Sequence, residues 1–142
     1  MQEPTPDDLR RIYEETRTIA VVGASNDQEK PGHYIPAYLQ SQGYRIVPVN
    51  PRGGEILGER AFASLRDVDI PVDVVEVFRP AEEAPGIARD AVAIGAKVLW
   101  LQEGIVSQEA AQIAEEGGLS VVMDRCMGVM HEEVGLGPGP YA

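Results

Sequence analysis

The chain has 142 residues, enough for one domain with an ordinary buried core. Hydrophobic residues make up 44%, a globular composition, while 12 basic and 23 acidic residues give a formal net charge of −11. That balance argues against nucleic acid, whose binding rests on neutralising phosphates with Lys and Arg, and against an anionic membrane surface; a lone cysteine excludes an intramolecular disulfide and a cysteine-based zinc ribbon.

Met1 to Arg11 is polar and lacks an apolar signal core, and no apolar run is long enough to span a bilayer, so a cytoplasmic location is expected. Thr5-Pro6-Asp7-Asp8 reads as a helix start, with a capping hydroxyl, a proline suited to the first position and acids in the first turn. Leu9, Ile12, Tyr13 and Thr16 then recur at helical spacing. Thr18 to Val22, ending at Gly23, is a short apolar run of the kind buried on both faces of a parallel sheet. A polar loop, Ala24 to Gly32, leads to a helix from near His33 to Gly43; Pro36 fits there if it lies in the first turn. Arg45 to Asn50 is a second strand, in which Pro48 points to an edge or an irregularity.

Residues 51–71 read as connection, with one short helical turn near Ser64 to Asp67. Val72 to Phe78 is the third strand and Ala81 to Ile94 a helix with Ala84, Ile87, Ala88 and Ala91 on one face. Lys97 to Leu101 is the fourth strand, Ser107 caps a helix running to Gly117-Gly118, and Leu119 to Asp124 is the fifth strand. The Gly- and Pro-rich remainder reads as irregular. Strands alternating with helices imply βαβ units with right-handed crossovers. The expected fold is a three-layer, Rossmann-like α/β sandwich with a five-stranded, mainly parallel sheet. One domain is expected over 1–142, with an N-terminal helix in 1–16, a core in 17–126 and an irregular tail in 127–142.

Ligands of such folds bind beyond the carboxyl ends of the strands, where strand order reverses. Gly23-Ala24-Ser25 follows strand one and leads to a helix N-terminus, which suits a phosphate. Neither G-x-G-x-x-G nor a Walker A run is present; between Gly23 and Gly32 the loop carries Lys30. After strand two, where an NAD site places an acid for the ribose, stand Asn50, Pro51 and Arg52. A neutral residue followed by Arg suits a phosphorylated ribose, and both NADP and coenzyme A fit.

Val21-Val22-Gly23-Ala24-Ser25 with Lys30-Pro31-Gly32, then Pro48 to Pro51 with Gly53-Gly54, then Val77 to Pro80, Leu99 to Ile105, and Val121 to Cys126 occur in one order. Together they resemble the small stand-alone CoA-binding proteins, which are similar to the N-terminal domain of the succinyl-CoA synthetase α subunit. The resemblance spans about 17–126 and implies a Rossmann-like domain binding CoA. By that resemblance Gly23, Ala24 and Ser25 form the phosphate loop, closed by Lys30 and Gly32, and Asn50, Pro51 and Arg52 form the segment whose Arg meets a CoA phosphate. It also implies that Val77 and Phe78 line the adenosine side, that Gln102, Glu103 and Gly104 approach the cofactor, and that Arg79 reaches a phosphate. Two departures stand out: Cys126 is followed by Met127-Gly128 where these proteins often have Pro, and the tail with His131-Glu132-Glu133 has no match. The synthetase's second domain, with its phosphorylatable histidine, has no counterpart in this length.

No nucleophile–base pair and no G-x-S-x-G elbow can be assembled from spacing, so no catalytic activity is expected. The expected function is to bind CoA or an acyl-CoA as carrier, sensor or partner module; the alternative is an NADP(H)-binding oxidoreductase or redox sensor. His33 fits either a phosphate contact or a helix start. Adjacent His131, Glu132 and Glu133 seldom converge on one ion, so no metal site is expected. Alternation places Asp73 and Glu76 on opposite faces of strand three, one meeting the helix layer or solvent. Cys126 sits at the cofactor edge, where its thiol is a candidate for exchange with that of CoA. Lys30, Arg52, Arg79 and Arg125 all follow strand ends on that edge, so the local charge differs from the total.

Overall fold

Thr5 opens the first helix as its sequence requires: its hydroxyl accepts from Asp8 N at 3.1 Å, and the Asp8 carboxylate accepts from Thr5 N at 2.8 Å. In a computed structural model, which describes residues 3–135, α1 (Pro6–Glu15) is followed by β1 (Thr18–Val22), α2 (Pro31–Ser41) and β2 (Arg45–Val49). A small hairpin, β3 (Glu55–Ile56) and β4 (Glu59–Arg60), and a 3-10 turn at Leu65–Asp67 lead to β5 (Val74–Val77). A second 3-10 turn, Ala81–Glu83, runs into α3 (Ala84–Ala93); β6 (Val98–Leu101), α4 (Gln108–Glu116), β7 (Ser120–Val122) and α5 (Met127–Glu133) complete the fold.

The main sheet has the order β2-β1-β5-β6-β7, with every neighbouring pair parallel. Strand order therefore reverses between β1 and β5, and the crevice beyond their carboxyl ends is where an open α/β sheet receives a ligand. Alternation divides the core. Ala20, Val75, Val77, Leu99 and Leu101 pack with α3 and α4, whereas Ile19, Val21, Val74 and Trp100 pack with α1, α2 and α5. This is the expected three-layer Rossmann-like fold. Pro48 sits on edge strand β2, where a missing N–H breaks no ladder bond; the Pro48 carbonyl accepts from Phe62 N at 3.0 Å, so residue 62 partly covers the edge. Among the described residues no helix is long and apolar enough to cross a membrane.

Three expectations are corrected. The helix expected from His33 begins at Pro31, which puts Pro36 in its interior rather than its first turn. The carbonyl that Pro36 cannot reach, that of Gly32, instead accepts from Ser25 N at 3.1 Å, so the missing helix bond becomes a loop bond. The connection over 51–71 holds a hairpin as well as the expected turn at Ser64; its corner, Leu57-Gly58, has φ of +55° and +76°, a geometry usually signalled by Asn-Gly. The tail expected to be irregular contains α5: Met127, Met130, His131 and Val134 recur at helical spacing and turn inward. The rest of that tail, 136–142, lies outside the described residues.

Candidate functional site

The crevice is a groove of about 1270 Å³ running across the carboxyl ends of the strands. Its centre is built by a close approach of two glycines. Gly23 ends β1 at φ +92°, and a Cβ there would lie 3.1–3.2 Å from Phe78 and Arg79. Gly32, in the first turn of α2, lies so close that a Cβ would stand 2.5 Å from the Gly23 carbonyl oxygen. The loop between them is held from within: His33 Nδ1 donates to Ser25 O at 2.7 Å, and Asp27 N to Ser25 Oγ at 3.0 Å. His33 is thus a loop staple. Among the described residues no side chain caps the start of α2; Pro31 has no N–H, and His33 N and Tyr34 N donate to Lys30 O at 2.9 and 3.1 Å, so Gly32 N and the positive end of the dipole remain available to an anion.

Asn50 ties this loop to the next one. Its Nδ2 donates to Ala24 O at 2.9 Å and its Oδ1 accepts from Arg52 N at 2.8 Å. Both ends of the amide take part in the architecture, and the neighbouring Arg52 side chain projects from an exposed turn. Lys30 and Arg52 both line the groove, and among the described residues neither side chain has an acidic partner. Arg79 differs: its Nε and Nη2 donate to the Glu83 carboxylate at 3.1 and 2.6 Å, which holds that carboxyl below its ordinary range. Arg125 pairs with Glu3 at 3.3 Å and does not line the groove. Of four cations expected at this edge, two remain uncommitted.

The groove floor carries buried polar groups. Gln102 Nε2 donates to Glu76 Oε2 at 2.7 Å, and burial pushes the Glu76 carboxyl up to about 8. On the wall formed by α2 and α5, Tyr38 shares a 2.9 Å hydrogen bond with His131 Nδ1. Cys126, at the start of α5, lines the same region and is half-buried. Asp73 lies away from the groove, where its Oδ2 accepts from Arg17 N and Thr18 N at 2.9 and 3.0 Å.

The structure brings together Gly23, Ala24, Ser25, Lys30, Gly32, Asn50, Pro51, Arg52, Phe78, Arg79, Gln102 and Glu103 around the groove. Two expected members are elsewhere. Val77 is fully buried in the core on the α3 side, because alternation turns this last residue of β5 inward. Gly104 is a turn residue at φ +87°, its N–H donating to Asp124 Oδ1 at 2.7 Å, and it does not line the groove. Sequence reasoning missed the apolar wall made by Tyr34, Ile35, Tyr38, Gly128 and Val129. Tyr34 and Tyr38 are four apart on one helix face, a legible signal; Gly128 and Val129 were hidden in the supposed irregular tail. Among the described residues no group of three or more His, Cys, Asp or Glu converges on a metal position.

Comparison with known proteins agrees with this geometry. A family described as CoA binding domain matches residues 17–132. YneT of Bacillus subtilis strain 168, itself uncharacterised, is 40% identical over 131 residues, covering 92% of this chain and 97% of YneT. A solved Thermus thermophilus structure is similar with TM-score 0.88 and 42% identity, covering 92% of this chain and 98% of that one. The ADP-forming acetate–CoA ligase II α subunit of Pyrococcus furiosus is 28% identical over 131 residues, covering 84% of this chain but 29% of the subunit. In a groove shaped by two glycines at the strand-order switch, and over nearly all of its core, this chain belongs to the CoA-binding domain family.

Proposed function

We propose that the groove binds coenzyme A or an acyl-CoA and holds it without transforming it, as a cytoplasmic carrier, sensor or partner module. The observation that carries this reading is the pair of uncommitted cations, Lys30 and Arg52, flanking a loop at an uncapped helix start. Their chemistry suits a ligand with separated phosphates. The start of α2 with Lys30 takes the diphosphate, and the planar fork of Arg52 grips the phosphate on the ribose. The apolar wall of Tyr34, Ile35 and Val129 suits the pantetheine arm. The chain corresponds to 29% of the ligase subunit, so nothing of a ligase reaction is carried over.

Isothermal titration should show CoA binding at moderate salt. Arg52→Ala should weaken CoA about 10- to 100-fold, the worth of a charge-assisted contact, while dephospho-CoA is little affected. Equal losses for both ligands would show that Arg52 does not read the ribose phosphate, and no heat from folded wild type would overturn the reading. NADPH, which also carries a ribose phosphate, should give no thermal shift where CoA gives one.

Cys126 offers a second check, since it is the sole cysteine and lines the groove. Its alkylation by iodoacetamide should slow when CoA is present. With oxidised CoA disulfide, the Cys126 thiolate attacks one sulfur and expels CoA thiolate, leaving a mixed disulfide visible by mass spectrometry. Unchanged alkylation at saturating CoA would place the ligand away from α5.

A further inference from the structure

Beneath the groove lies a carboxyl that ligand binding, as described so far, does not use. Glu76 is 0% exposed, with Val21 of β1 and Trp100 of β6 as its register neighbours. Among the described residues it has no cation within salt-bridge distance. Its Oε2 accepts from Gln102 Nε2 at 2.7 Å, yet its Oε1 and Gln102 Oε1 are both buried without a hydrogen-bond partner among the described residues. An ionised Glu76 would leave two acceptors on directly bonded groups with no donor for either. It would also bury a charge with one hydrogen bond, a costly arrangement. A proton on Oε1 removes both difficulties at once. The acid O–H then donates to Gln102 Oε1 while Gln102 Nε2 donates to Oε2, closing a two-bond acid–amide pair.

We propose that Glu76 is a positioning residue for the groove: as a neutral acid it locks Gln102 in place, and its ionisation releases that lock and weakens CoA binding. The proposal rests on the reading that the groove takes CoA. The link from lock to ligand is covalent and short. Gln102 N donates to Val77 O at 3.3 Å and Gln102 O accepts from Ile105 N at 2.9 Å, so Gln102 anchors both ends of the turn that carries Glu103 and Ile105 into the groove. An ionised Glu76 would also set a negative charge under a phosphate site.

Glu76→Gln separates the titration of this carboxyl from that of the groups around it. β1 and β6 present Val21 and Trp100 to this position, and Gln102 follows β6. From α1 comes Tyr13, whose hydroxyl donates to Met127 O at 2.6 Å and which burial keeps protonated far into the alkaline range. The Cys126 thiol, at the start of α5, lies near the Tyr13 hydroxyl, while Tyr38 of α2 and His131 of α5 are engaged with each other. Burial pushes the Glu76 carboxyl up to about 8, so its proton is held at neutrality and lost in mild alkali.

The test is titration of the full chain with CoA from pH 6.5 to 9, beside infrared spectroscopy of the same protein without ligand. Wild type should lose about tenfold in CoA affinity across that range, as a proton coupled to binding requires. Glu76→Gln keeps an amide pair with Gln102 and should hold near-neutral affinity at every pH. The infrared carbonyl band of a protonated carboxyl should be present at neutral pH, fade by pH 9 and be absent in the variant. No such band in wild type at neutral pH would overturn the proposal, whatever the variant does and even if it fails to fold. A band that titrates while wild-type and variant affinities fall in parallel would overturn the positioning role alone. A titrating band with no CoA heat at any pH would overturn the CoA reading of the groove and this role with it.

Discussion

Replacing Gly32 with alanine should lower CoA affinity at least about tenfold and destabilise the protein by about 1–3 kcal/mol, the usual cost of overpacking. Gly32 has ordinary helical backbone, so the effect is one of space. The added Cβ would stand 2.5 Å from the Gly23 carbonyl oxygen, a backbone atom with little freedom, since Gly23 is itself pinned at φ +92° against Phe78. Relief requires α2 to lift away from β1. That movement stretches the Ser25 N to Gly32 O bond of 3.1 Å and reshapes the loop that faces the diphosphate. Gly86→Ala is the matched control. Gly86 is exposed on α3 with nothing within 4 Å of a Cβ, so alanine should leave CoA binding unchanged and add about 0.5–1 kcal/mol of stability. Titration calorimetry and denaturant unfolding read both variants. Wild-type binding by Gly32→Ala would show that the close glycine approach does not shape the ligand loop.

This pair of glycines shows how much of the site was legible. Gly23 and Gly32 stand out in sequence as the bounds of a loop after an apolar run, and the parallel sheet follows from the strand–helix alternation. The role of Pro36 was not legible. It reads as a nuisance in a helix, yet by leaving the Gly32 carbonyl unused it supplies the acceptor that closes the loop on Ser25. Helix α5 was hidden because Gly128 and the Gly-Pro run after Val134 outweigh the spacing of Met127, Met130, His131 and Val134. Compositional signals are local, whereas that inward face exists only against α1 and α2. Pair interactions were equally invisible. Nothing in the order Arg79-Pro80-Ala81-Glu82-Glu83 reveals that the guanidinium is spent on Glu83, or that Glu3 reaches Arg125 across the fold.

The charge of −11 is sharpened by those pairings. Acidic residues pair with Arg79, on the groove wall, and with Arg125, outside it, and among the described residues leave Lys30 and Arg52 unpaired in the groove. A polyanion such as duplex DNA meets the field of the whole acidic surface. A compact anion inside the groove is governed by groups within about 10 Å, the screening length at ordinary salt. The total therefore speaks against one class of anionic ligand and not the other.

The second large effect should appear on acidification. The contribution of His131 to wild-type stability should fall as pH drops below about 6.5, the ordinary histidine value, by up to about 1.4 kcal/mol per pH unit over the window of one proton. The group responsible is His131, 1% exposed, with Tyr13, Tyr38 and Tyr44 set edge-on around its ring at centroid distances of 5.2, 5.6 and 5.7 Å. Its Nδ1 meets the Tyr38 hydroxyl and its Nε2 has no partner among the described residues. Burial lowers its pKa, with Glu132 opposing weakly, so the folded chain resists a proton that the unfolded chain accepts. Stability is therefore complete above the unfolded value and declines as pH falls toward the folded one. Glu76 acts with the opposite sign: its raised folded pKa means stability present below about 4.5 and lost as pH rises toward about 8. The net pH profile mixes the two, and His131→Phe separates them. Phenylalanine keeps the ring among the tyrosines but loses the Tyr38 bond, so the variant should be less stable at pH 8, with the gap narrowing as pH drops to 5. Because Tyr38, Gly128 and Val129 form one wall of the groove, CoA affinity of wild type should weaken along with α5 in the same acid window. Denaturant unfolding of both proteins from pH 5 to 8 reads the gap, and a gap constant across that range would assign the acid loss to groups other than His131.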